Sequence, residues 1–150
     1  MLDRRWIAEH VPQSGAMCLL DAVVDWSAGA ISCRATSHAD PANPLREADR
    51  LGAASGIEYA AQAMALHGAL LAAAGDRPRQ GYLASLRGVT LNVARLDDLP
   101  GELVVLAERL SGDDRHVLYR FSVGHAGRCL VEGRAAVVLD AGTPGEPAAS

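Results

Sequence analysis

Two residue types that exchange protons near neutral pH stand close together in this chain. Glu58 opens a long apolar stretch, IEYAAQAMALHGALLAAAG, and is the only carboxylate in it. A carboxylate on a buried helix costs several kcal/mol in desolvation or responds with a raised pKa, which suits a general acid. His38 lies twenty residues earlier, in SHADPANPL, and an imidazole there is a candidate general base. Gln62 follows Glu58 by four residues, on the same helical face, where its amide could orient the carboxylate or meet a substrate. Backbone N–H groups at the helix start, at Gly56 and Ile57, would face a developing oxyanion. Each residue also has a plainer role. Ser55 and Glu58 have capping-box spacing, Gln62 could be satisfied by the sheet, and His38 could be a solvated loop residue.

The remaining histidines are weaker candidates. His67 is nine residues after Glu58, roughly half a turn round the helix, so it packs elsewhere. His10 sits beside the Pro12 turn, and His116 and His125 fall at hairpins. No histidine pair has metal-ligand spacing, so neither a metal nor another cofactor is expected.

The elements that must position Glu58 and His38 follow from periodicity. Residues 16–26 read as a strand or strand pair, and residues 29–37 alternate, with Ile31, Cys33 and Ala35 on one face. A connection rich in Pro, Asn and Gly then leads to the helix, 57–75. It has no proline and is apolar nearly all round, so it belongs inside the protein. Strands follow over 80–95, with Gly88 as a bulge, then over 101–110, 115–123 and 128–139, separated by Gly/Asp and His125–Gly127 turns. An antiparallel sheet wrapped round one long central helix satisfies this order: an α+β chain with the hotdog fold. Residues 1–140 form the single domain and 141–150 a disordered tail. Exposed strand edges would pair with a second copy, giving a homodimer or a dimer of dimers.

Bulk properties exclude several classes. The 150 residues suit one domain, 49% are hydrophobic, and the net charge is −4. A nucleic-acid groove would need a basic face. No uncharged apolar run is long enough for a membrane span, and no signal peptide opens the chain. Cys18, Cys33 and Cys129 are odd in number and widely spaced, which reads as reduced core cysteines of a cytoplasmic protein.

Three stretches resemble the FabA/FabZ-like β-hydroxyacyl-carrier-protein dehydratases, and above all their small relatives from aryl-polyene clusters. HVPQSGAMCLLDAVVDW is similar to the family opening at His10, Met17, Leu19, Leu20, Asp21 and Val24. The helix carries the family's E-x-x-A-Q at Glu58, Ala61 and Gln62, and the G-x-L-x-x-x-R strand matches at Gly81, Leu83 and Arg87. The chain departs from the family in lacking G-H-F-P; His38 is the histidine available in its place. The resemblance implies dehydration of a 3-hydroxyacyl thioester, on acyl carrier protein or coenzyme A, to the 2-enoyl thioester. His38 would take the α-proton and Glu58 would protonate the departing β-hydroxyl. The two groups would come from different subunits, with Asn43 shaping the mouth of the acyl tunnel. An acyl thioesterase using Glu58 alone, or a non-catalytic acyl-binding subunit, are the alternatives.

Overall fold

The computed structural model describes residues 1–72, 81–113 and 115–139. Six antiparallel strands form one sheet in the order β1-β2-β4-β5-β6-β3. They are β1 (Ala22–Ser27), β2 (Ala30–Ala35), β3 (Gly81–Leu91), β4 (Leu103–Gly112), β5 (His116–His125) and β6 (Arg128–Leu139). Helix α2 (Gly56–Ala72) lies on the concave face, against β2, β4 and β5. The hotdog fold expected from the element order is the one observed. The tail from 141 and the helix end at Gly75 lie outside the described residues.

The strand patterns explain the core. In β5, Val117, Tyr119, Phe121 and Val123 alternate inward and are all buried; in β2, Ile31, Cys33 and Ala35 do the same. Their inner faces meet Tyr59, Ala60, Ala63, Leu66 and Leu70 of α2 in one hydrophobic cluster. Gly56 allows the close approach: a Cβ there would stand 3.1 Å from Val131 Cγ2. Gly88 has φ +60°, a left-handed conformation open to glycine, within a register shift of β3 against β6 between Arg87 and Thr90.

Two features differ from the sequence reading. Residues 4–10 form a short helix α1 (Arg4–His10), capped by Asp3, whose carboxylate accepts from Trp6 N–H at 3.0 Å. Residues 16–26 are not one strand: a 3₁₀ turn over Gly15–Met17 precedes β1. The turn is held by Gln62, a contact across 45 positions that no local pattern announces.

α2 is also not buried all round. Nine of its residues are buried, but Glu58, Ala65 and Gly68 are exposed. With Ala61 and Ala72 they share one stripe of the helix, at i, i+3, i+7, i+10 and i+14 from Glu58. Beside it, β3 forms a free edge of the sheet. Leu83, Leu86 and Leu91 are paired with Val137, Ala135 and Val131, so they lie on the inner face, yet they are 37–46% exposed. The small-residue stripe and the overhanging leucines flank one uncovered apolar surface.

Candidate active site

His38 sits in a 3₁₀ turn, Ser37–Ala39, at the end of β2 and is completely buried, contrary to a loop position in solvent. A buried hydrogen-bond network fixes this turn. The Ser37 hydroxyl donates to Leu19 O at 2.8 Å and lies 2.7 Å from the Tyr59 hydroxyl. Tyr59 Oη also accepts from Asn43 Nδ2 at 3.1 Å, and the same amide donates to Ser37 O at 2.9 Å. Asn43 Oδ1 accepts from Leu45 N–H. The Asn43 amide therefore holds the His38 segment to α2. Asn43 is itself buried, and its amide is engaged by Ser37, Tyr59 and Leu45.

The imidazole of His38 has a defined tautomer. Nε2 lies 3.0 Å from Leu99 O, and a carbonyl only accepts, so Nε2 carries the proton of the neutral ring. Nδ1 then holds the lone pair. It is buried and has no hydrogen-bond partner among the described residues. Burial pushes the His38 pKa below the usual imidazole value, against the Leu99 hydrogen bond, which raises it. A neutral imidazole with an unengaged lone pair is the working form of a general base.

Glu58 departs from expectation in the other direction. It is exposed in the single chain and makes no side-chain hydrogen bond with a described residue, so neither the buried carboxylate nor the capping box is present. The physical reason is that α2 continues directly from a 3₁₀ turn over Ala53–Ser55, which moves the helix entrance upstream. The Gly56 N–H donates back into that turn, to Ala53 O and Ala54 O, and so does not face a ligand. Ile57, the other expected amide donor, is half-buried at the start of the exposed stripe.

Gln62 does not orient Glu58. Its Oε1 accepts from Leu19 N–H at 2.9 Å and its Nε2 donates to Met17 O at 2.6 Å, fully buried. The amide ties the chain segment before β1 to the helix instead of reaching substrate. A cavity of about 550 Å³ opens on the convex face between Trp26, Ser32, Leu106 and Arg120, and none of the expected site residues lines it.

The ApeP-like family, described as ApeP dehydratase, matches residues 5–143. The chain belongs to that family. No curated protein matches the chain. Among solved structures, the dehydratase heterocomplex ApeI:P from Xenorhabdus doucetiae is similar at 21% identity and TM-score 0.80, covering 89% of this chain and 90% of that one. A thioesterase from Haemophilus influenzae follows at 8% identity and TM-score 0.66, covering 93% and 92%. A hypothetical thioesterase protein from Streptococcus pneumoniae, with coenzyme A, has 12% identity and TM-score 0.59, covering 79% and 84%. At such identities the thioesterases share the fold alone. The ApeP-like match makes this chain a dehydratase of the polyene-biosynthesis type, as its sequence implied.

Proposed function

We propose that the chain dehydrates a 3-hydroxyacyl thioester, carried on acyl carrier protein or coenzyme A, with His38 as base and Glu58 as acid. The observation that carries this reading is the bare Nδ1 of His38 on a ring whose other nitrogen is fixed by Leu99 O. Nδ1 takes the α-proton, and the electrons of that C–H bond become the new C=C bond. The β C–O bond breaks, and Glu58 supplies the proton with which the hydroxyl leaves as water. Proton transfer from His38 back to Glu58 restores both groups. The positive end of the α2 dipole favours negative charge gathering on the thioester oxygen.

Glu58 needs a dry environment to act as an acid, and a second subunit would supply it. We assign the uncovered surface of Ala61, Ala65, Gly68, Leu83 and Leu86 to pairing with another copy of this chain through the β3 edge. Pairing would desolvate Glu58 and bring it to the partner's His38. A second reading has a related hotdog subunit as the partner, favoured by the heterocomplex of the similar ApeI:P dehydratase. Within the described residues no helix is long and apolar enough to cross a membrane. We place the reaction in the cytoplasm, in keeping with three free cysteines.

The test is mass spectrometry of a panel of 3-hydroxyacyl thioesters, on pantetheine, coenzyme A and carrier protein, after incubation with the protein. Loss of one water is the expected change. Loss of the thiol instead, or no change in any substrate, would overturn the assignment.

A further inference from the structure

The carbonyl that fixes the His38 tautomer belongs to a loop with its own anchor. Leu99 closes a turn, its N–H donating to Leu96 O at 3.2 Å, and Pro100 O is hydrogen-bonded by His125 Nε2. Within this turn, Asp97 has a side chain only 5% exposed. Its carboxylate accepts from Leu51 N–H at 2.8 Å and from Arg95 Nε at 3.1 Å, and it pairs with Arg95 Nη2. Arg46 Nη1 stands 4.0 Å away. The hydrogen bond from Arg95 holds the Asp97 carboxyl well below the usual carboxylate range, so it is ionised throughout the working pH.

These partners come from both halves of the candidate site. Leu51 precedes the turn that starts α2, and the two segments are laced together: Leu96 N–H donates to Leu51 O at 2.8 Å and Ala53 N–H to Ala94 O at 3.1 Å. Arg46 donates through Nη2 to the backbone oxygen of His38 itself at 3.3 Å. One carboxylate thus joins the loop that presents Leu99 O, the segment that carries His38, and the entrance of the helix that carries Glu58.

We propose that Asp97 is a positioning residue for the reaction: it holds the 96–100 loop so that Leu99 O keeps the proton of His38 on Nε2 and its lone pair on Nδ1. This rests on the reading of His38 as the base. Asp97 touches no reacting atom. Its action is that of a group that orients a catalytic imidazole through its other nitrogen, as carboxylates and carbonyls do behind metal-bound histidines. Alignment is what it would supply, and misplacement of a reacting group by about 1 Å costs on the order of 10²-fold in rate.

The experiment is long-range ¹H–¹⁵N spectroscopy of the full chain with labelled histidine, wild type against Asp97→Ala and Asp97→Asn, alongside steady-state kinetics. The Asn variant keeps an acceptor for Leu51 N–H and removes the charge facing Arg95 and Arg46, so it serves where the Ala variant does not fold. His67, held at both nitrogens by other groups, is the internal control. In the variants, the His38 signal should move from a pure Nε2–H tautomer toward a mixture while the His67 signal stays fixed. Turnover should fall by about 10- to 10²-fold with KM within about threefold. A wild-type His38 pattern in folded Asp97→Asn overturns the proposal. So does a changed pattern with unchanged turnover. If the wild-type chain dehydrates nothing, the catalytic reading of His38 fails by itself, while the spectra still decide whether Asp97 sets the tautomer.

Discussion

His38 and His67 are both completely buried, and burial lowers the pKa of each below the ordinary imidazole value. Their surroundings nevertheless differ in one respect. His67 donates from Nε2 to Ser27 O at 2.8 Å and accepts at Nδ1 from the Tyr119 hydroxyl at 2.7 Å, so neither nitrogen is free. It ties α2 to the end of β1 and to β5, across the core. His38 is held at Nε2 alone and keeps Nδ1 without a partner among the described residues. A depressed pKa therefore does not set the proposed base apart from the histidine held at both nitrogens, whereas the unengaged lone pair does. Leaving a buried polar atom unpaired costs stability, a cost that a merely structural residue would have been free to avoid.

The contrast can be broken in a fixed order of effect. Replacing His38 by Ala should lower dehydration by roughly 10²- to 10⁴-fold, the usual worth of a positioned base, measured as initial rates on the substrate the wild type consumes. Its effect on stability should be the smaller of the two histidines, because one nitrogen has no hydrogen bond to lose. His67→Ala should do the opposite. It empties a core position and orphans the Tyr119 hydroxyl, so denaturant unfolding should show a loss of about 3 kcal/mol. Turnover per folded molecule should stay within about threefold, since no reacting atom is touched.

A smaller effect sharpens the shared property. Both imidazoles have folded pKa values lowered from 6.5, so below that pH the unfolded chain binds protons that the folded chain refuses. Stability should be level above about pH 6.5 and fall as pH drops through the window beneath it, by up to about 1.4 kcal/mol per pH unit for each histidine. Urea midpoints from pH 7 to 5 measure the slope, and His67→Ala should reduce it. A slope unaffected by that substitution would show that His67 is not neutral in the fold.

Much of the fold was legible because its signals are local. The alternation of Val117, Tyr119, Phe121 and Val123, the turn at Ala126-Gly127, and the proline-free, largely apolar run of α2 each specify an element from neighbouring residues. The seven residues of α1 carry too short a pattern, with only Ile7 buried. At the site, the sequence pointed to His38 and Glu58 but misjudged their surroundings in opposite senses. The cover over His38 comes from Leu99, 61 positions away, while the Ala61, Ala65, Gly68 face of α2 reads in sequence like any other apolar face. Asn43 and Gln62 were polar residues in suggestive places, but their partners Tyr59, Met17 and Leu19 become neighbours only on folding. Asp97 gave no signal beyond a pair of acidic residues in RLDDLPG; its partner Leu51 is 46 positions distant.

The central claim is that one site uses His38 of one subunit and Glu58 of another. Mixing two inactive variants, His38→Ala and Glu58→Gln, tests it most directly, after mild dissociation and reassociation. Half of the resulting dimers would be mixed, and each mixed dimer contains one site with both native groups. Dehydration should return to about a quarter of the wild-type rate, as two-fold symmetry requires. A mixture that exchanges subunits but stays as inactive as its components would contradict the account.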